Sequence, residues 1–153
     1  MSKLHIEQVL KIEQMHLDLL LKADPSERTV KSYLERSICL AGKVKEQIIG
    51  VIVLLPTRPK TIEIVNVSVV EQEQGKGYGR ELIQYALNLA KHYGCKTVEI
   101  GTGNSSINQL ALYQKCGFRI TEIDRDFFLR HYDKKIYENG IQCRDMIRLS
   151  QDV

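Results

Sequence analysis

Gln74-Gly75-Lys76-Gly77-Tyr78-Gly79 joins an apolar stretch, 61–70, to residues 80–93, where Leu82, Ile83, Ala86, Leu89, Ala90 and Tyr93 recur at helical spacing. The fold turns on this join. Glycines here let the backbone adopt positive φ and approach a ligand closely. The free N–H groups of the helix's first turn, with its dipole, then face an anion such as a phosphate or pyrophosphate.

The stretch before the loop carries an irregularity. Ile62 and Ile64 share one parity, whereas Val65, Val67 and Val69 share the other. In a regular strand such a phase change sends the buried set to solvent. A β-bulge between 64 and 65 repairs it, and bulges favour active sites. A strand buried on both faces is the alternative.

Toward the N-terminus, Ile6, Val9, Leu10, Leu17, Leu20 and Leu21 predict a helix over 6–22. Asp24-Pro25-Ser26-Glu27 then reads as a capping box with proline in the first turn, predicting a second helix over 25–36. Residues 37–43 form a short strand. Residues 48–55 form an apolar one, ended by Pro56-Thr57-Arg58-Pro59 and paired with it around Lys45-Glu46.

Toward the C-terminus, 96–101 alternates as a strand, 105–116 reads as a helix stopped by Gly117, and 118–123 as a strand. Residues 126–140 are irregular and aromatic. After Asn139-Gly140 a last strand over 141–149 turns Ile141, Cys143, Ile147 and Leu149 inward. The order describes one mixed α/β domain over 1–153.

A length of 153 residues fits a single domain, and 43% apolar with 27% charged residues is an ordinary globular composition. The net charge of +3 falls in 76–153, and no block of like charge appears, so no nucleic-acid partner is expected. The longest apolar run, 48–55, has eight residues, too few to span a membrane. Cys39, Cys95, Cys116 and Cys143 form no CxxC pair and no signal peptide precedes them, which suggests reduced thiols in a cytoplasmic protein. The four histidines show no metal-ligand spacing.

Three anion-binding loops compete for the glycine stretch. A Walker loop needs GxxxxGK followed by Ser or Thr, and the chain has none. A dinucleotide fingerprint needs GxGxxG. Gly75 and Gly77 fit, but Arg80 stands at the third glycine, although Glu99 lies where a ribose-binding carboxylate would.

The third fits best. Gln74-x-x-Gly77-x-Gly79 resembles the acyl-CoA pyrophosphate signature of the GNAT superfamily of N-acetyltransferases, Arg/Gln-x-x-Gly-x-Gly/Ala. Glu63-Ile64-Val65-Asn66-Val67-Ser68-Val69 resembles that family's fourth strand, with the suspected bulge where the family has one. Ala111-Leu112-Tyr113-Gln114-Lys115-Cys116-Gly117-Phe118 is similar to its second motif, Leu-Tyr-x-Lys-x-Gly-Phe.

The resemblance implies a mostly antiparallel central sheet flanked by helices and splayed between the strands at 61–70 and 96–101, with Leu4-His5-Ile6 the one stretch that could serve as the family's first strand. It implies acetyl transfer from acetyl-CoA to a primary amine, on a small molecule or a peptide, in one ternary complex. Gly75, Gly77, Gly79 and the amides of Lys76, Tyr78 and Arg80 would hold the pyrophosphate, with Gln74 shaping the loop. Backbone N–H groups around Val67, Ser68 and Val69 would polarise the thioester. Ser106 stands where the family often has an asparagine, so Asn104, Ser106 and Asn108 are all candidates to touch the CoA arm.

For the chemistry, Tyr113 is the candidate acid toward the CoA sulfur, since a phenol is protonated at neutral pH. Glu63 on the bulged strand is the candidate base, directly or through water, and Glu99 a weaker one. Phe127, Phe128, Tyr132 and Tyr137 either wall an acceptor pocket, or pack the loop or serve a dimer contact, and packing or a dimer contact is the expectation; the acceptor pocket itself is expected from segments 22–37 and 126–140, where no motif names the acceptor. Cys116 reads as a buried thiol. The last strand and the loop before it offer a surface on which two copies could pair. A non-catalytic acyl-CoA sensor on the same fold is the alternative function.

Overall fold

The computed structural model describes residues 4–153, so residues 1–3 of the expected domain lie outside the described residues. The N-terminal part runs β1 (His5–Gln8), α1 (Gln14–Ala23), α2 (Glu27–Leu34), β2 (Ile38–Val44), β3 (Gln47–Arg58) and β4 (Thr61–Val69). A single 3-10 turn at Glu71–Glu73 leads to α3 (Tyr78–His92). Then follow β5 (Thr97–Gly103), α4 (Ile107–Lys115), β6 (Arg119–Asp124), α5 (Phe127–His131), β7 (Ile136–Glu138), β8 (Ile141–Cys143) and β9 (Met146–Asp152).

Seven strands form one sheet in the order β1-β2-β3-β4-β5-β9-β6, and β7 pairs with β8 separately. Every neighbouring pair in the large sheet is antiparallel except β4 and β5. This is the expected mixed α/β fold with a mostly antiparallel sheet.

Both faces of β3 are covered, which is why it reads as a continuous apolar run. Ile52 and Leu54 meet Leu82, Ile83 and Ala86 of α3. Val51, Val53 and Leu55 meet Leu19 and Leu20 of α1 and Val30 and Tyr33 of α2. Each such Leu or Ile contributes roughly 1.5–3 kcal/mol on burial. Lys45 and Glu46 both hold positive φ, 50° and 69°, in the predicted turn between β2 and β3.

The bulge in β4 is present. Leu54 pairs with Ile64 and Val53 with Asn66, leaving Val65 without a partner on β3. Ile62, Ile64, Val67 and Val69 therefore all face the α3 core, whereas Val65 packs with the α1–α2 core. The phase change in the sequence is this one extra residue. Pairing of β4 with β5 ends at Ile64 and Ile100, so the strands part where the bulge begins.

Several elements differ from expectation. The helix predicted over 6–22 is two elements: Ile6 lies in β1, opposite Gly42 on β2, and α1 starts only at Gln14. Apolar residues of an edge strand and of a helix happened to fall in one helical period. α2 is capped by Ser26, whose Oγ accepts the Thr29 N–H at 3.2 Å, not by Asp24. β3 runs through Pro56, whose missing N–H falls beside a register shift. The irregular 126–140 contains α5 and β7. The last strand predicted over 141–149 is broken: Arg144 and Asp145 donate their N–H groups to Asn104 Oδ1 at 2.8 and 3.0 Å, which separates β8 from β9 and leaves Ile141 exposed.

Candidate active site

The loop before α3 is built to leave donors free. Gly77 is the N-cap, with φ 88° and ψ 5°, and it has no side chain to cap with. Its carbonyl accepts the Glu81 N–H at 3.1 Å, while the N–H groups of Tyr78, Gly79 and Arg80 lie in the first turn, where no intrahelical acceptor exists. A Cβ on Gly75 or Gly77 would meet no atom within 4 Å, so the space over these donors is open. Gln74 ties the loop to β4 by donating Nε2 to the Val69 carbonyl at 3.0 Å, and Lys76 pairs with Glu73 at 2.8 Å. Arg80 is exposed and makes no ion pair among the described residues. An uncapped helix end with open space above it fits a pyrophosphate.

The parted strands open a cleft of about 340 Å³. Ile64, Val65, Asn66 and Val67 form one wall; Ile100, Gly101, Thr102 and Gly103 form the other. Val70 donates its N–H to Ile49 on β3. By strand alternation Ser68 and Asn66 also face β3, so the N–H groups of Val67 and Val69 point into the gap. They are donors aimed at the space between the strands.

α4 brings Tyr113 and Gln109 to the cleft one turn apart, with Ser106 before them. Tyr113 is buried, sets its ring edge against Phe118, and its hydroxyl makes no hydrogen bond among the described residues. Burial pushes its proton affinity well above the ordinary phenol range. The three polar candidates separate. Ser106 lines the cleft and donates Oγ to Glu138 Oε1 at 2.8 Å. Asn104 spends its side chain on Gln142, Arg144 and Asp145. Asn108 is exposed and does not line the cleft.

Glu63 stands on β4 two residues before the bulge, half-buried, opposite Glu99 on β5. It does not line the cleft. Burial raises its proton affinity, the nearby Arg148 opposes that rise, and Glu99 adds to it. Glu99 itself pairs with Arg58 at 2.5 Å.

The far side of the cleft was the least legible. Lys22, Ala23, Asp24 and Pro25 from the α1–α2 corner line it together with Phe128, Tyr132, Ile136, Glu138 and Cys143. Of the four aromatics, Phe128 and Tyr132 wall the cleft, against the expectation of packing or a dimer contact. Phe127 meets His131 at a tilt and lies under Arg148, and Tyr137 is exposed. Cys116 is buried as expected and does not line the cleft. Asn66 and Gln109 were missed as cleft residues, and Asp24 and Glu138 were anticipated only as part of the segments 22–37 and 126–140. Only the anomalous bulge hinted at Asn66.

A bulged strand, a parted parallel pair and an uncapped glycine turn define an acyl-CoA-binding domain. The model of the Acetyltransferase (GNAT) family matches residues 9–118, and the chain belongs to that family. It uses acetyl-CoA as cosubstrate. It is similar to an uncharacterized N-acetyltransferase, YvbK, of Bacillus subtilis strain 168, with 57% identity over all of this chain and 99% of that one. A solved Bacillus subtilis acetyltransferase in complex with CoA superposes with TM-score 0.95 at 57% identity, covering 99% of each chain. A GNAT acetyltransferase of Elizabethkingia anophelis with acetyl-CoA bound superposes with TM-score 0.95 at 42% identity, covering 98% of each. No described helix is long and apolar enough to cross a membrane.

Proposed function

We propose that this acetyltransferase moves the acetyl group of acetyl-CoA onto a primary amine by direct attack in a ternary complex. The observation that carries the reading is the gap between β4 and β5. It presents the Val67 N–H on one wall and Tyr113 on another.

The N–H groups of Tyr78, Gly79 and Arg80 hold the pyrophosphate, with the amides of Gly75, Lys76 and Gly77 around it and Gln74 fixing the loop. The Val67 N–H hydrogen-bonds the thioester oxygen as it gains charge, and the Val69 N–H, about 6–7 Å further along the strand, is left for the pantetheine arm. Donors fixed in advance cost no reorganisation at that moment. Ser106, and not Asn104 or Asn108, flanks the pantetheine arm. Glu63 takes the ammonium proton through water, because it stands behind the cleft wall. The neutral amine then attacks the carbonyl carbon, forming the C–N bond and a tetrahedral oxyanion, which collapses with loss of the C–S bond. Tyr113 gives its phenolic proton to the leaving thiolate, burial keeps that proton on until the thiolate forms, and the second proton shed by the acylated nitrogen restores the phenol.

The test is release of free CoA thiol from acetyl-CoA by a set of primary amines, with the acetylated amine identified by mass spectrometry. Amine-dependent thiol release with an acetamide product is expected. Acetyl-CoA binding without thiol release from any amine would replace this reading with a sensor.

A further inference from the structure

The acceptor end of the cleft holds two carboxylates that no cation balances. Asp24 Oδ1 accepts the Ser26 N–H at 3.1 Å and the Tyr132 hydroxyl at 2.8 Å, both neutral donors. Glu138 Oε1 accepts the hydroxyls of Ser106 and Ser105 at 2.8 and 3.3 Å. Among the described residues Asp24 Oδ2 and Glu138 Oε2 accept no hydrogen bond, and neither residue makes an ion pair. Both line the cleft, where Lys22 is the sole cationic side chain in the wall.

A separate observation points to a missing donor in the same place. Asn66, 4% exposed and part of the cleft wall, donates Nδ2 to the Leu20 carbonyl and to the Tyr33 hydroxyl, each at 3.0 Å. Its Oδ1 is buried and accepts nothing. A buried acceptor left unpaired is costly, and a ligand in the cleft removes the cost where the wall around Asn66 shifts to let a donor reach it.

We infer that the acceptor is an amine carrying a second cationic group, selected by Asp24 and Glu138 in the wall of the cleft. This rests on the amine transfer proposed above. The Tyr132 hydrogen bond spans 108 residues and pins the α1–α2 corner to the segment after α5, fixing Asp24 in the wall. The rings of Phe128 and Tyr132 line the same end and suit a cation over an aromatic face. Ile136 and Met146 offer apolar surface for a methylene spacer. Burial raises the proton affinity of Asp24, and an approaching ammonium group would reverse that.

Three four-carbon amines differ at the distal end: putrescine (a cation), n-butylamine (neutral) and γ-aminobutyrate (an anion). Initial rates with saturating acetyl-CoA are compared for each, with calorimetric binding to the enzyme–CoA complex. Putrescine should exceed n-butylamine by about 10- to 100-fold in kcat/KM, the range of one charge-assisted contact, and γ-aminobutyrate should be poorest. Asp24→Asn and Glu138→Gln should each bring the putrescine-to-butylamine ratio toward unity. If one variant does not fold, the other decides. Preference for n-butylamine or γ-aminobutyrate, or a ratio that neither variant changes, overturns the inference while leaving amine transfer standing. If no amine releases thiol, the transfer reading fails, and the calorimetric order alone then upholds or overturns the selection of a dication.

Discussion

Gly77 holds a left-handed backbone with φ 88°, and an added Cβ there would meet no protein atom within 4 Å. Gly94, just past the end of α3, has φ 82° and equally open surroundings. Alanine at either position therefore adds backbone strain and no crowding. That strain is about 1–2 kcal/mol, which lowers the melting temperature by roughly 2–4 °C per kcal/mol in a chain of this size. The two variants should lose similar stability. They should differ in ligand binding. The methyl at 77 enters the open space beside the first-turn N–H groups, where it keeps the pyrophosphate from closing on them. Loss of one charge-assisted contact weakens binding by about tenfold or more. Titration calorimetry with acetyl-CoA reads this directly, and differential scanning reads stability in the same samples. Gly77→Ala that binds acetyl-CoA as tightly as Gly94→Ala would refute the assignment of the loop.

Tyr113→Phe should lower kcat by about 10²–10⁴-fold with little change in acetyl-CoA affinity, the range of a general acid; full turnover would retire the acid role. Glu63 has its proton affinity raised above the ordinary 4.5 by burial, so its carboxylate form, and with it kcat/KM, should grow only as pH rises past that value. Glu63→Gln should flatten that acidic limb in a pH–rate series, whereas an unchanged limb would move the base elsewhere, with Asp24 the next carboxylate to test. Gly103→Ala should destabilise by roughly 1–3 kcal/mol, because its Cβ would run into Cys143 Sγ. Adding Cys143→Ala should recover most of the loss in thermal melts, and a double variant no more stable than Gly103→Ala would mean the crowding lies elsewhere.

The parts of the fold set by local chemistry could be read from the chain. The glycine turn, α3 and the β4 bulge each leave a mark within a few residues: a missing side chain, a helical stripe, a change of parity. The parting of β4 from β5 follows from the bulge. The segments that failed are those whose pattern is shared by two elements or decided at long range. Ile6 is apolar in both a helix and an edge strand, and only its partner Gly42 settles which. β8 ends because Asn104, 40 residues earlier in the chain, takes the Arg144 N–H. The acceptor wall is of the same kind. Asp24 looked like a helix cap because its neighbours are cap residues, and its partner Tyr132 lies at the other end of the chain. Of the geometry of the glycine loop almost everything was visible in sequence, and of the acceptor side only the segments that form it and two of its aromatic rings.

The central claim is direct transfer from acetyl-CoA in the β4–β5 gap to an amine held opposite. Initial rates measured over a grid of acetyl-CoA and amine concentrations test it most directly. Direct attack in a ternary complex predicts double-reciprocal lines that intersect, and no CoA released before amine is added. Parallel lines with a burst of CoA in the absence of amine would show an acetyl-enzyme and contradict the account.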